Sequence, residues 1–141
     1  MDGKIQHVVF MCVANSVRSQ LAEGILRRYV GSNIAVSSCG VRASVVDPAV
    51  ISWLKANHCE WMGLRSKSSL EIDFETVDVL VNLTSEDILP PTLAHVKRLS
   101  WPIEDPELWN SGIPALAEHV RQKILGWINH SSFRSSLGQD S

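Results

Sequence analysis

Apolar residues are spread along the chain in two rhythms. Gln6 to Val13 is almost continuously apolar and rich in β-branched side chains, the pattern of a strand buried on both faces. Ser19 to Val30 changes rhythm. Leu21, Ala22, Ile25, Leu26 and Tyr29 recur at helical spacing, and Gly31 follows as a stop. Asn33 to Ser38 predicts a second short strand that ends at Gly40. Asp47-Pro48 opens a second helix, with the aspartate as N-cap and proline in the first turn, supported by Val50, Ile51, Trp53 and Leu54. Asp78 to Leu83 predicts a third strand and Val96 to Trp101 a weaker fourth. Ile113 to Ile128 predicts the last helix, with Leu116, Val120, Ile124 and Trp127 on one stripe. From Asn129 onward the chain is polar and Ser-rich.

Strands that alternate with helices favour a parallel sheet covered on both faces. The expected fold is therefore α/β: a three-layer sandwich whose four-stranded parallel sheet carries helices on both sides. The pattern predicts one domain over residues 1–130 and a polar tail over 131–141. Such sheets bind ligands beyond the carboxyl ends of their strands. Cys12 lies at that end of the first strand.

Composition narrows the possible functions. The chain has 141 residues, 45% hydrophobic and 20% charged, which suits one folded domain and excludes a disordered one. A formal net charge of −2 gives no broad attraction to nucleic acid or to a membrane surface. The longest apolar run, Val8 to Ala14, is too short to span a bilayer. No basic region followed by a cleavable apolar stretch opens the chain, so the expected compartment is the cytoplasm. The three cysteines, Cys12, Cys39 and Cys59, form no C-x-x-C pair and no metal-like cluster with the five histidines. Scattered thiols of this kind suit a reducing compartment, and no metal or organic cofactor is expected.

The segment Cys12-Val13-Ala14-Asn15-Ser16-Val17-Arg18-Ser19 joins the first strand to the first helix. Backbone N–H groups converging at a helix N-terminus bind oxyanions. Arg18 adds a permanent charge and a planar donor fork that fits two oxyanion oxygens. The same dipoles and charge favour the thiolate of Cys12, a nucleophile placed beneath the bound anion. Ser19 can hydrogen-bond that thiolate. Asn15 tolerates a left-handed backbone and can bond across the loop. The glycines and the Gly-Lys-Ser/Thr ending of a nucleotide-binding loop are missing. Cys39 and Cys59, which lack such neighbours, read as packing.

At these residues the chain resembles the low-molecular-weight protein tyrosine phosphatases and the related thiol-dependent arsenate reductases. Their signature, Cys, five residues, Arg, Ser, stands here as CVANSVRS followed by QLAEG. The likeness runs from about Lys4 to Ile128, through Val36-Ser37-Ser38-Cys39-Gly40, Asp47-Pro48, Arg65-Ser66-Lys67 and the late segment Trp101-Pro102-Ile103-Glu104-Asp105-Pro106. The resemblance implies the phosphotyrosine phosphatase I-like fold. It also implies Cys12 as nucleophile, Arg18 as oxyanion holder and Asp105 as general acid. A carboxyl group there would protonate the leaving oxygen and then activate water.

Two branches of the family remain open. Val17 stands where the phosphatases often have a second cysteine, and Gln20 where they have proline. Ser19 to Gly24 is closer to the reductase wording. The reductases, however, resolve their adduct with cysteines after the third strand, and Val81 to Asp87 contains none. Cys39 could stand in only if it lay close to Cys12. The Arg42 to Asp47 loop has no aromatic residue to grip a phenol ring, which leaves Trp109 as a candidate wall. The resemblance thus implies a phosphatase of aryl phosphomonoesters, acting through a cysteinyl-phosphate on a small substrate or a phosphoprotein. The alternative is an arsenate reductase with an external thiol such as glutathione or glutaredoxin. A non-catalytic oxyanion-binding module is the third reading.

Overall fold

In the computed structural model residues 4–91, 94–104 and 112–130 are described. Four strands form one parallel sheet: β1 (His7–Cys12), β2 (Ala35–Gly40), β3 (Val79–Asn82) and β4 (Lys97–Ser100), in the order β2-β1-β3-β4. Three α-helices accompany them: α1 (Arg18–Val30), α2 (Pro48–Ala56) and α3 (Gly112–Ile128). The alternation read from the sequence holds from β1 to β3, whereas β3 leads to β4 with no α-helix among the described residues between them. Among the described residues no helix is long and apolar enough to cross a membrane.

The boundaries have local causes. β2 begins later than expected because Gly31–Asn33 tightens into a 3-10 turn after α1. Gly31 has φ 58°, and its N–H bonds the Arg27 carbonyl, so it ends α1 as a residue without a side chain can. Asp47 caps α2 as expected, its side chain accepting from the Ala49 N–H at 2.9 Å.

The sheet buries both faces, but with unequal cover. All three α-helices share the first face. There Leu21, Ile25, Leu26, Val50, Leu54, Leu116, Val120 and Ile124 enclose Val8, Phe10, Val79 and Val81. The second face holds Val9, Met11, Cys39, Val77, Leu80 and Val96. Among the described residues its cover is two single-turn 3-10 helices, Ser69–Glu71 and Phe74–Thr76, whose neighbourhood supplies Ile72 and Phe74, together with Ile88 and Leu89. The alternation of side chains along a strand decides which residue faces which layer.

The strand order sets the site. β1 lies between β2 and β3, so the chain leaves it in opposite directions before and after β2. The crevice beyond the carboxyl end of β1 is the topological switch point of the sheet. The β1–α1 loop occupies that crevice.

Candidate active site

The first half of α1 is buried on nearly every side, with Arg18, Ser19, Gln20 and Glu23 as well as its apolar residues withdrawn from solvent. This requires their polar atoms to find partners inside the protein. Most do so around the loop, and among the described residues Gln20 Oε1 is the buried side-chain oxygen left without one. The Cys12 sulfur lies 2.9 Å from Ser19 Oγ. Asn15 takes φ 51°, the left-handed conformation its residue type tolerates. Its Nδ2 donates to Ser19 Oγ at 2.7 Å and to Ser38 Oγ at 2.9 Å. Its Oδ1 accepts from the Lys67 N–H at 2.8 Å and from Gln20 Nε2 at 3.0 Å.

Neighbouring backbone closes the loop from one side. Val41 N–H bonds the Cys12 carbonyl at 3.2 Å, Arg42 N–H the Val13 carbonyl at 3.1 Å, and Asp47 N–H the Ser16 carbonyl at 3.1 Å. Gly40 makes this close approach possible. A methyl group there would sit 2.7 Å from the Val13 oxygen and 2.8 Å from the Asn15 nitrogen. On the other side Arg18 is 6% exposed and donates to the Ile103 carbonyl at 2.9 Å. Ile103 is in turn held by its N–H to the Leu83 carbonyl at 3.0 Å. The arginine is thereby tied to the stretch that leads to Asp105.

Cys12, Arg18, Ser19 and Asn15 are brought together. Val13, Ala14, Ser16 and Val17 form the half-buried rim of the same loop. Asp105 and Trp109 lie outside the described residues. Trp101 is partly buried against the first-face core, tilted against Phe10 and edge-on to Trp127.

The two other thiols are separated from Cys12. Cys39 pairs with Met11 in the β1–β2 register and faces the second layer, while the Cys12 sulfur turns to Ser19 of α1 on the first. Burial, and after it the charge of Cys12, push the Cys39 thiol up to about 12. Cys59 sits in the first-face core beyond the end of α2, and its thiol is also pushed up by burial. Beyond β3 Asn82 and Thr84 staple a turn in place of any cysteine. Asn82 Oδ1 accepts from Thr84 N at 2.8 Å, and its Nδ2 donates to the Glu86 carbonyl at 2.7 Å.

Gln20, Glu23, Ser38 and Lys67 are supporting residues to which the sequence pattern assigns no role at the site. The available signals were a glutamine and a glutamate on the buried stripe of a helix, and a Ser-Ser pair inside an apolar strand. Gln20 Nε2 also reaches the carbonyls of Asn15, at 3.1 Å, and Arg65, at 3.2 Å, and so ties α1 to the basic segment.

The parallel four-stranded sheet and the Cys-to-Arg loop at its switch point define the class. The chain belongs to the low molecular weight phosphotyrosine protein phosphatase family, whose sequence model matches residues 7–125. It is similar to arsenate reductase 1 of Bacillus cereus, 34% identical over 111 residues that span 75% of this chain and 80% of that protein. It is also similar to the glutaredoxin arsenate reductase of Synechocystis sp., 31% identical over 105 residues, 73% of this chain and 80% of that protein. A solved arsenate reductase in the phosphate binding state shares its fold with a TM-score of 0.77 at 28% identity, over 88% of this chain and 97% of that one.

Proposed function

We propose that this chain is an arsenate reductase that works through Cys12 and a thiol supplied from outside. Arg18 and the N–H groups of residues 13–17 hold the oxyanion. The Cys12 thiolate attacks arsenic, and one oxygen leaves as water with a proton from Asp105. An external thiolate then attacks the Cys12 sulfur. The electron pair of the S–As bond passes to arsenic, arsenite departs, and a mixed disulfide remains on Cys12. A second thiolate frees Cys12 and leaves as the donor's disulfide, so two thiols supply the two electrons.

The separation of Cys12 from Cys39 across the sheet carries the external-thiol part of this reading. The arsenate part is supported by relatives named as arsenate reductases at 34% and 31% identity, one of them a glutaredoxin arsenate reductase. It is also supported by the Arg42 to Asp47 rim, which carries no aromatic wall for a phenol ring. The phosphatase reading is second. The same loop would form a cysteinyl-phosphate, and a chain with no relay thiol beside its nucleophile needs no reductant for that chemistry.

One comparison tests both. The purified protein is expected to reduce arsenate with glutathione and glutaredoxin, and Cys12→Ser to lose about a thousand-fold or more of that rate. Hydrolysis of an aryl phosphate at a substantial Cys12-dependent rate, with no arsenate turnover on any thiol donor, would overturn the reductase in favour of the phosphatase.

A further inference from the structure

Glu23 is buried to 2% exposure on α1, and none of the steps above uses it. Two partners clamp it. Arg27, one turn later on the same helix, pairs with its Oε2, and Ser38 of β2 donates to its Oε1 at 2.6 Å. From Ser38 an unbroken line of hydrogen bonds runs back through Asn15 and Ser19 to the Cys12 sulfur.

With Glu23 as a carboxylate and Cys12 as a thiolate, each hydrogen in that line has a single direction. Asn15 Oδ1 already accepts from the Lys67 N–H and from Gln20 Nε2, so its two amide hydrogens face the serines. Each serine oxygen therefore accepts from Asn15. A hydroxyl has one hydrogen to give. That of Ser38 goes to the Glu23 carboxylate, and that of Ser19 is left for sulfur. An ionised acceptor strengthens such a bond and polarises the chain behind it.

We propose that Glu23 is a positioning residue for Cys12: its carboxylate holds Ser38, Asn15 and Ser19 in the orientation that directs the Ser19 hydroxyl hydrogen at the sulfur. The charges facing Glu23 come from every element around it. They are Arg27 on α1, Lys67 on the segment beside the end of β2, and the Cys39 thiol across β2. Burial pushes the Glu23 carboxyl up from 4.5, against the opposing pull of Ser38, Arg27 and Lys67. The clamp is what keeps an acceptor at the end of the line.

The inference rests on Cys12 acting as a thiolate, but its test does not require arsenate turnover. Alkylation of Cys12 by iodoacetamide, followed on the Cys12 peptide by mass spectrometry across pH, reads the sulfur directly. Ser38→Ala cuts the line and Glu23→Gln removes its charged end. Each is expected to slow alkylation at neutral pH by about ten-fold and to move the profile to higher pH. The double variant should be little worse than Ser38→Ala alone, because both act through one line. A purely structural role would lower the melting temperature and leave the profile in place. Folded Ser38→Ala with an unchanged profile overturns the proposal, even if Glu23→Gln fails to fold. A protein that shows these shifts and yet reduces no arsenate would overturn the reductase reading alone.

Discussion

Gly40 shows how much a single residue can fix at this site. Its Cα faces the backbone of Val13, Asn15 and Arg42, all within 2.8 Å of where a side chain would begin. Those atoms cannot rotate aside, because the same segment is hydrogen-bonded to the loop at Cys12, Val13 and Ser16. Gly40→Ala should therefore push the loop open. The expected cost is about 1–3 kcal/mol of stability, as for other overpacked sites. Phosphate should bind about ten-fold more weakly or worse, since displaced donors lose their aim. Thermal unfolding with and without phosphate measures both effects. A variant with unchanged phosphate stabilisation would show that the loop does not depend on this contact.

At the scale of the element, the end of α2 is built as a glycine cap without a glycine. His58 takes φ 58°, its N–H bonds the Lys55 carbonyl at 3.3 Å, and the Cys59 N–H bonds the Leu54 carbonyl at 2.9 Å. These are the two bonds of a Schellman cap, and Cys59 packs with Leu54 beneath them. A side chain in the left-handed region costs roughly 1 kcal/mol that glycine avoids. His58→Gly is expected to stabilise the protein by about 0.5–1 kcal/mol, raising the melting temperature by about 3 °C. Calorimetry should show no gain if the His58 side chain makes up that cost through its surroundings.

The whole molecule carries a half-buried titratable group, His7, at the amino end of its sheet and a buried one, Glu23, on α1. At the amino end of β1 His7 lies between Thr76 Oγ1 at 3.1 Å and Ser37 Oγ at 2.9 Å. Burial lowers its pKa from 6.5, while Asp78 opposes the shift. As pH falls through 6.5, the unfolded chain takes up a proton that the folded chain refuses until lower pH. The contribution of His7 is thus complete above that value and lost below it. Glu23 has the opposite sign. As pH rises through 4.5, the unfolded chain releases a proton that the folded chain retains. Melting temperatures measured across the acid range should fall less steeply below neutrality in His7→Gln than in the parent. An equally steep fall would remove His7 as the cause.

Much of this architecture was legible because it is local. A strand buried on both faces, a helix stripe ending at Gly31 and the Asp47-Pro48 cap are each written within a few consecutive residues. So is the Cys12 to Ser19 loop, whose chemistry needs only neighbours in sequence. Ser38 is different: only the pairing of β2 with β1 sets it opposite Phe10 and within reach of Asn15 and Glu23. The Lys67 contact with Asn15 likewise spans 52 positions of chain. A polar residue inside an apolar stretch signals a partner without saying which. The thin second layer escaped for a related reason, since two single 3-10 turns leave no helical period to detect.

The placement of Cys39 on the far side of the sheet has a consequence for how the molecule behaves between turnovers. With its neighbour facing away, Cys12 cannot close a disulfide within the chain unless the backbone moves. The protein therefore has nowhere to store an oxidising equivalent. Oxidation at Cys12 ends in a sulfenic acid or a mixed disulfide with another thiol, which adds mass without adding a cross-link within the chain and which an external thiol must remove before Cys12 can attack again.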